Sequence, residues 1–318
     1  MLGNLVVWLV LLLVTVALGW LAVRAFRSRQ GLVKWLGGGL VSLLTLLFGL
    51  VSAVSGVGLV EFYAPRGQPV QALRVAGTAE QIARGEHLAN AFCVECHSPT
   101  GELPLIGGVD LGQDLPLPLG SFISVNLTPA GPLKDWSDGQ IMRILREGVD
   151  PNGRPLIMMN AVRARYMSDE DLHAIIAYLR SQPAAGEPTP EPPDRPNLLA
   201  AIMLALNLVP SEPPVTGPIS ARPKAATAEY GQYLVSFQDC RICHGPNLDG
   251  NPTSPLVDPA GPNLRVVKGW TAEEFVRTIR TGVDPSGHEL SPVMPWRTIA
   301  RLDDTELNAI YTYLLSLS

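Results

Sequence analysis

The first 60 residues contain no aspartate or glutamate, and the whole chain has no cysteine outside two local pairs. With none left over, a framework of structural disulfides is excluded and the cysteine chemistry must be local. An excess of positive charge is lacking too. The 318 residues carry 24 basic and 29 acidic side chains, and Arg24, Arg27, Arg29 and Lys34 are the only charges before residue 61. The remainder holds 20 basic residues against 29 acidic, a net −9. That balance argues against a nucleic-acid partner. It fits docking to a basic protein surface, or plain solubility. Alternating apolar and polar residues are scarce as well, so no strands are expected and the fold class is all-α, helices joined by long loops.

What the first 60 residues do have is apolar length. Leu5 to Val23 is a run of 19 residues without a charge, roughly 28 Å as a helix and about the thickness of a bilayer's hydrocarbon. A second run, Trp35 to Val60, is long enough to cross with tilt. All four charges in this region are positive and lie in or beside the segment between the runs. The positive-inside rule therefore puts that loop in the cytoplasm and everything after Val60 outside. A cleaved signal peptide is the competing reading, but it wants its positive charge before the apolar core, whereas here the charge follows. The expected anchor is a transmembrane hairpin over residues 1–62, in the cytoplasmic membrane, with the rest extracytoplasmic on the periplasmic side.

The rest of the chain repeats itself. GVDPNGRPL (148–156) answers GVDPSGHEL (282–290), and AIIAYLRS (174–181) answers AIYTYLLS (309–316). Two copies of one fold are expected, at 76–182 and 226–318. Thr78 with Gln81, Ser137 with Gln140 and Thr271 with Glu274 have capping-box spacing, which Asp303 with Glu306 resembles. Between the copies, residues 183–225 form a linker. Six prolines between Pro183 and Pro196 predict a stiff, extended spacer. The 12 apolar residues 198–209 are too few to cross a bilayer; they suit a helix packed on one domain or lying at the membrane surface.

The chemistry lies in Cys93-Val94-Glu95-Cys96-His97 and Cys240-Arg241-Ile242-Cys243-His244. CxxCH reads as c-type haem attachment. Two thiols one helical turn apart can form thioethers to the two vinyl groups of one porphyrin, and the adjacent imidazole then faces the iron. A zinc site would need two further ligands and finds no other cysteine. A thiol–disulfide motif would need a βαβ setting. Two covalent haem c groups are therefore expected, with Cys93, Cys96, Cys240 and Cys243 binding the cofactor and His97 and His244 on the metal.

The opposite ligand must come from elsewhere in each copy. Met294, in Ser-Pro-Val-Met-Pro-Trp, is the only methionine after the second CxxCH, and thioether sulfur suits iron and raises its potential. In the first copy Met158 and Met159 are adjacent. Met167 lies eight residues after Met159, as Leu302 lies eight after Met294. That register selects Met159; Met158, which then corresponds to Val293, is read as packing and kept as the alternative ligand, and Met142 and Met167 are poor candidates. His288, six residues before Met294, is an alternative in the second copy. His87 and His173 are read as surface or packing residues. Gly85 and Gly231 are expected to let Tyr178 and Tyr313 of the final helices approach closely.

With these parts in place, residues 80–181 and 227–317 each resemble a class I cytochrome c domain. NLTP (126–129) followed by Trp136-Ser137-Asp138, and MPWR (294–297), are similar to the cytochrome c subunits of membrane alcohol, aldehyde and gluconate dehydrogenases. Those relatives usually have three haem domains and a proline after the ligand methionine, where this chain has two domains and Asn160. The resemblance implies Trp136 near a haem propionate, with Trp270 its counterpart, simple core packing being the plain alternative. It also implies electron transfer rather than catalysis. The expected function is a membrane-tethered electron carrier, a subunit or partner of a respiratory or photosynthetic chain complex. The expected partners are a membrane redox complex (quinol-oxidising complex, dehydrogenase or terminal oxidase), a soluble electron carrier and the lipid bilayer. The Met158–Met159–Asn160 departure keeps a dihaem peroxidase-like enzyme, with one five-coordinate iron, as a reading of another class.

Overall fold

The computed structural model describes residues 2–209, 215, 217–238, 240–251 and 261–317. The chain opens with two long helices, α1 (Leu2–Phe26) and α2 (Gly38–Tyr63), the second preceded by a π-helical turn at Val33–Gly37. Both are long and apolar enough to cross a membrane. Small residues let their axes come close. Gly56 lies against the Trp8 ring, whose Nε1 donates to Ser52 O at 2.8 Å, and Gly49 lies against Thr15. The outward faces keep their leucines and valines exposed.

The first repeat comprises α3 (Ala79–Phe92), α4 (Val94–His97), α5 (Asp138–Glu147), α6 (Ile157–Ala161) and α7 (Asp169–Ser181). After a short helix α8 (Leu198–Ala205), the second comprises α9 (Ala228–Phe237), α10 (Cys240–His244), α11 (Ala272–Thr281), α12 (Trp296–Ile299) and α13 (Asp304–Ser316). All four capping boxes form, including Asp303 with Glu306. The helices ending at GVDP stop in the same way, on Gly148 and Gly282 in the left-handed region, at φ +63° and +74°, where glycine has no Cβ penalty.

In each repeat the first and last helices cross on a glycine. A Cβ on Gly85 would lie 1.9 Å from Ala174 O and 2.8 Å from Tyr178 Cβ, and one on Gly231 would meet Ala309 O and Tyr313 Cβ at the same two distances. Around these crossings Leu88, Leu172 and Ile176 fill one core and Leu234, Leu307 and Leu314 the other. Met167 and Leu302, equivalent in register, are both fully buried, and Met142 is also buried.

Three features depart from the sequence reading. A two-stranded antiparallel ribbon joins β1 (Gly120–Phe122) to β2 (Asp194–Pro196), strands too short to show alternation. The proline-rich segment lies along the first repeat: Asn126 Nδ2 donates to Ala185 O and Glu187 O, and Thr189 Oγ1 accepts from Asn126 N. Helix α8 packs on neither repeat. It lies along α2, so close at Gly58 that a Cβ there would fall 1.7 Å from Ala201 O.

The two repeats meet through equivalent helices, α3 and α7 of the first against α9 and α13 of the second. Arg84 pairs with Asp171 of its own repeat and with Glu306 of the other, at 2.9 and 2.8 Å. His87 reaches Glu306 at 2.6 Å, and its positional equivalent Tyr233 donates to Asp171 at 2.6 Å. Glu306 has no exposed surface. Tyr230 OH also donates to it. Phe92 and Phe237 meet edge to face, centroids 5.9 Å apart. Arg301 donates to Asn90 and pairs with Glu102, while Thr298 donates to Glu95. His87, read as surface or packing, is thus a polar member of this interface.

Candidate functional site

Helix α3 ends where Cys93 becomes its C-cap, and the chain turns once more through α4. That single turn sets Cys93, Cys96 and His97 among the residues lining a cavity that is partly open to solvent. Trp136 and Met159 also line it, and its other walls are apolar, among them Leu127, Ile141, Ile175 and Leu179. Met158 is not among the lining residues. The cavity therefore gathers the four first-repeat residues singled out from sequence and separates Met159 from its neighbour.

His97 Nδ1 bonds Val125 O at 2.8 Å. Burial lowers the imidazole below its ordinary pKa, against the pull of that hydrogen bond. The ring is thus neutral with Nδ1 occupied, which leaves Nε2 as a metal-binding atom with its orientation set from behind. The second repeat has the same arrangement: His244 Nδ1 bonds Pro262 O at 2.7 Å, and burial again lowers the ring. Val125 and Pro262 each precede Asn-Leu. The following asparagines, Asn126 and Asn263, accept backbone N–H groups two residues on and so hold the turns that present these carbonyls. A backbone acceptor leaves no side-chain signature; only the paired Asn-Leu could have pointed to it.

Burial, with Cys96 adding to it, pushes the Cys93 thiol up to about 12. A thiol held protonated is a poor nucleophile, unlike the low-pKa cysteine of an exchange motif. An apolar slot with two thiols on one wall, a neutral imidazole and a thioether is a donor set that fits a covalently attached haem.

Met159 sits on the single turn α6, whose first residue Ile157 donates its N–H to Asp194 Oδ2 at 3.3 Å. Asn160, in the place where Pro295 follows Met294, is held by Arg165, whose Nη2 donates to Asn160 O at 2.9 Å. Arg165 is fully buried. Nothing in its sequence neighbours marks this arginine as interior. Met294 is half-buried against the second core. Trp296 N donates to Met294 O at 2.8 Å, and the Trp296 ring covers Gly282. Residues 252–260 of the second site lie outside the described residues. His288 is exposed, on the turn whose Asp284 accepts its backbone N–H. Trp136 lines the first cavity and Trp270 packs against the second core.

Comparison with known proteins agrees with this geometry. A family model described as cytochrome c matches residues 82–183, and one described as cytochrome c oxidase, cbb3-type, subunit III, matches residues 226–314. The gluconate 2-dehydrogenase cytochrome c subunit of Pantoea cypripedii is 37% identical over 101 residues, 30% of this chain and 22% of the relative. The alcohol dehydrogenase (quinone) cytochrome c subunit of Gluconacetobacter polyoxogenes is 29% identical over 203 residues, 60% of this chain and 39% of the relative. A diheme cytochrome c-type protein of Cereibacter sphaeroides is 35% identical over 114 residues, 33% of this chain and 37% of that protein. The chain thus spans between 22% and 39% of the length of these relatives. Through both of its helical repeats the chain belongs to the cytochrome c family, two such domains in tandem behind a pair of apolar helices long enough to cross a membrane.

Proposed function

We propose that the chain holds two haem c groups and relays electrons between a membrane-bound donor and an acceptor on the outer face of the cytoplasmic membrane. In this reading residues 1–62 are the anchor, 76–182 and 226–318 the haem domains, and 183–225 the linker. Cys93 and Cys96 would hold one haem, with His97 and Met159 on its iron. Cys240 and Cys243 would hold the other, with His244 and Met294. The observation that carries the reading is the first cavity, which brings both cysteines, His97 and Met159 to one apolar space.

A six-coordinate haem supplies one-electron exchange at an iron with no open position. The protein's own part is positional. Val125 O and Pro262 O fix the imidazoles. The apolar walls would face the porphyrin, and Arg165 with Asn160 keeps the Met159 turn in place. No side chain in the first cavity needs to bind or turn over a substrate.

The relatives favour a particular donor. Two of those matched are named as cytochrome c subunits of a gluconate and an alcohol dehydrogenase, so we propose a membrane dehydrogenase as the partner that reduces this chain.

The test is spectroscopic. Purified holoprotein should contain two covalent haems per chain by mass and show low-spin spectra for both. Met159→Ala should change the spectrum and potential of one site, Met294→Ala those of the other, and Met158→Ala neither. If Met158→Ala abolishes the first signal and Met159→Ala does not, the ligand assignment fails. A high-spin resting haem with peroxidase turnover would replace the carrier reading with the enzyme one. Purification in mild detergent should bring down a dehydrogenase; recovery of another redox complex would move the partner.

A further inference from the structure

Helix α8 has an apolar side chain at every position, and the residues after it continue as Leu206, Asn207, Leu208 and Val209. Its small face is spent on α2. Ala200 and Ala201 are buried, Ala201 against Gly58, and Ser55 one turn before Gly58 is fully buried as well. The Ser55 hydroxyl is satisfied within its own helix by Val51 O at 2.7 Å. The seam therefore sets small residue against small residue with no unpaired hydroxyl at Ser55, as between helices in lipid. On the opposite side, among the described residues, the apolar side chains stay exposed. Leu199, Leu206 and Leu208 are exposed, as are Val57 and Val60 of α2, the helix α8 lies against.

The depth of α8 follows from its neighbours. Pro196, just before it, accepts a hydrogen bond from Asn4 at the start of α1, at 2.6 Å. The helix then lies along α2 where Ser55 and Gly58 are buried. Gly58 precedes Glu61, the first acidic residue of the chain, by three positions, about 4.5 Å along a helix. Ser55 is about 9 Å from it by the same measure. Eight helical residues span about 12 Å, a fraction of the roughly 30 Å hydrocarbon layer.

We propose that residues 198–209 are a third membrane element: a half-spanning helix seated on α2 in the outer leaflet, with lipid acyl chains against Leu199, Leu206 and Leu208. It rests on the reading of α1 and α2 as a membrane anchor. Through β2 it also holds the first haem domain at a fixed height over the bilayer, because β2 leads directly into α8 and pairs with β1 of that domain.

The test is nitroxide accessibility in the full-length holoprotein in phospholipid vesicles. Labels go on Leu206→Cys and Leu208→Cys, with Leu47→Cys on the exposed face of α2 and Ser286→Cys on an exposed turn of the second domain as references. The expected result is loss of collision with a water-soluble nickel chelate at 206 and 208, together with the gain in oxygen collision seen at 47, while 286 stays open to nickel. Nickel access at 206 and 208 equal to that at 286, with 47 still protected, overturns the proposal alone. Nickel access at 47 as well overturns the anchor reading beneath it.

Discussion

Replacing Glu306 with glutamine tests the interdomain network directly. Burial alone would raise this carboxyl, yet hydrogen bonds from His87 and Arg84 pull it down to about 2 from an ordinary 4.5. At about 1.4 kcal/mol per unit that depression corresponds to roughly 3 kcal/mol. The sign is that of an acid with a lowered folded-state pKa. The contribution is complete above about pH 4.5 and is lost as the pH falls toward 2. Glu306→Gln keeps the shape and removes the charge, leaving His87 without a carboxylate and Arg84 with Asp171 alone. For two domains unfolding together, about 3 kcal/mol corresponds to roughly 6–12 °C in melting temperature. Thermal melts of holoprotein in detergent should show a deficit of this size at pH 7 that shrinks steadily toward pH 2. Scattering from the soluble part should show a larger radius for the variant at pH 7. A variant that melts with the wild type at neutral pH, or whose deficit is unchanged at pH 2–3, refutes the reasoning.

Gly85→Ala and Gly231→Ala should each destabilise their own domain by about 3 kcal/mol, the upper range for overpacking, because the new methyl meets a backbone oxygen at 1.9 Å in both; domain-resolved melts read this out. Burial pushes Asp194 up to about 6, the Ile157 N–H and Arg154 pulling the other way. Here the folded state holds a proton the unfolded chain has released, so stability falls as pH rises from about 4 to 6. Asp194→Asn keeps an oxygen for Ile157, so it should melt higher than wild type at pH 8 by about 2–3 kcal/mol and equally at pH 4. Arg165→Met should disturb the sulfur–iron absorbance of the first site and leave the second unchanged, since only the first repeat has an asparagine after its methionine; comparison of the two signals in one spectrum decides it.

The elements legible in sequence were those whose signals are local. Capping boxes at Thr78, Ser137 and Thr271 depend on residues three apart, and all form. The repeat register placed Met159 opposite Met294, and the cavity holds Met159 without Met158. Gly85 and Gly231 were readable because each must admit a tyrosine-bearing helix. What stayed hidden depends on who lies across from whom. Arg84, Asp171 and Glu306 look like ordinary first-turn or helix-surface charges until two domains meet and bury them. A three-residue strand such as Gly120–Phe122 has no room for alternation. The prolines of 183–196 announce an extended chain, but its resting place is decided by Asn126 and Thr128, more than 50 residues earlier in the sequence. Helix α8 is apolar on every side, so no stripe told which surface it would choose.

The near-twofold arrangement of the repeats has an outcome for how this chain can vary. Arg84 and Tyr230 occupy equivalent places, as do His87 and Tyr233, and Asp171 and Glu306. A chain built from two copies of the first half would set guanidinium against guanidinium, and one built from two copies of the second would put a tyrosine where each acid now meets Arg84 or His87. The halves have diverged into lock and key, so neither can stand in for its twin, and severing them would strip Glu306 of Arg84 and His87 and leave it Lys224 as its remaining cation.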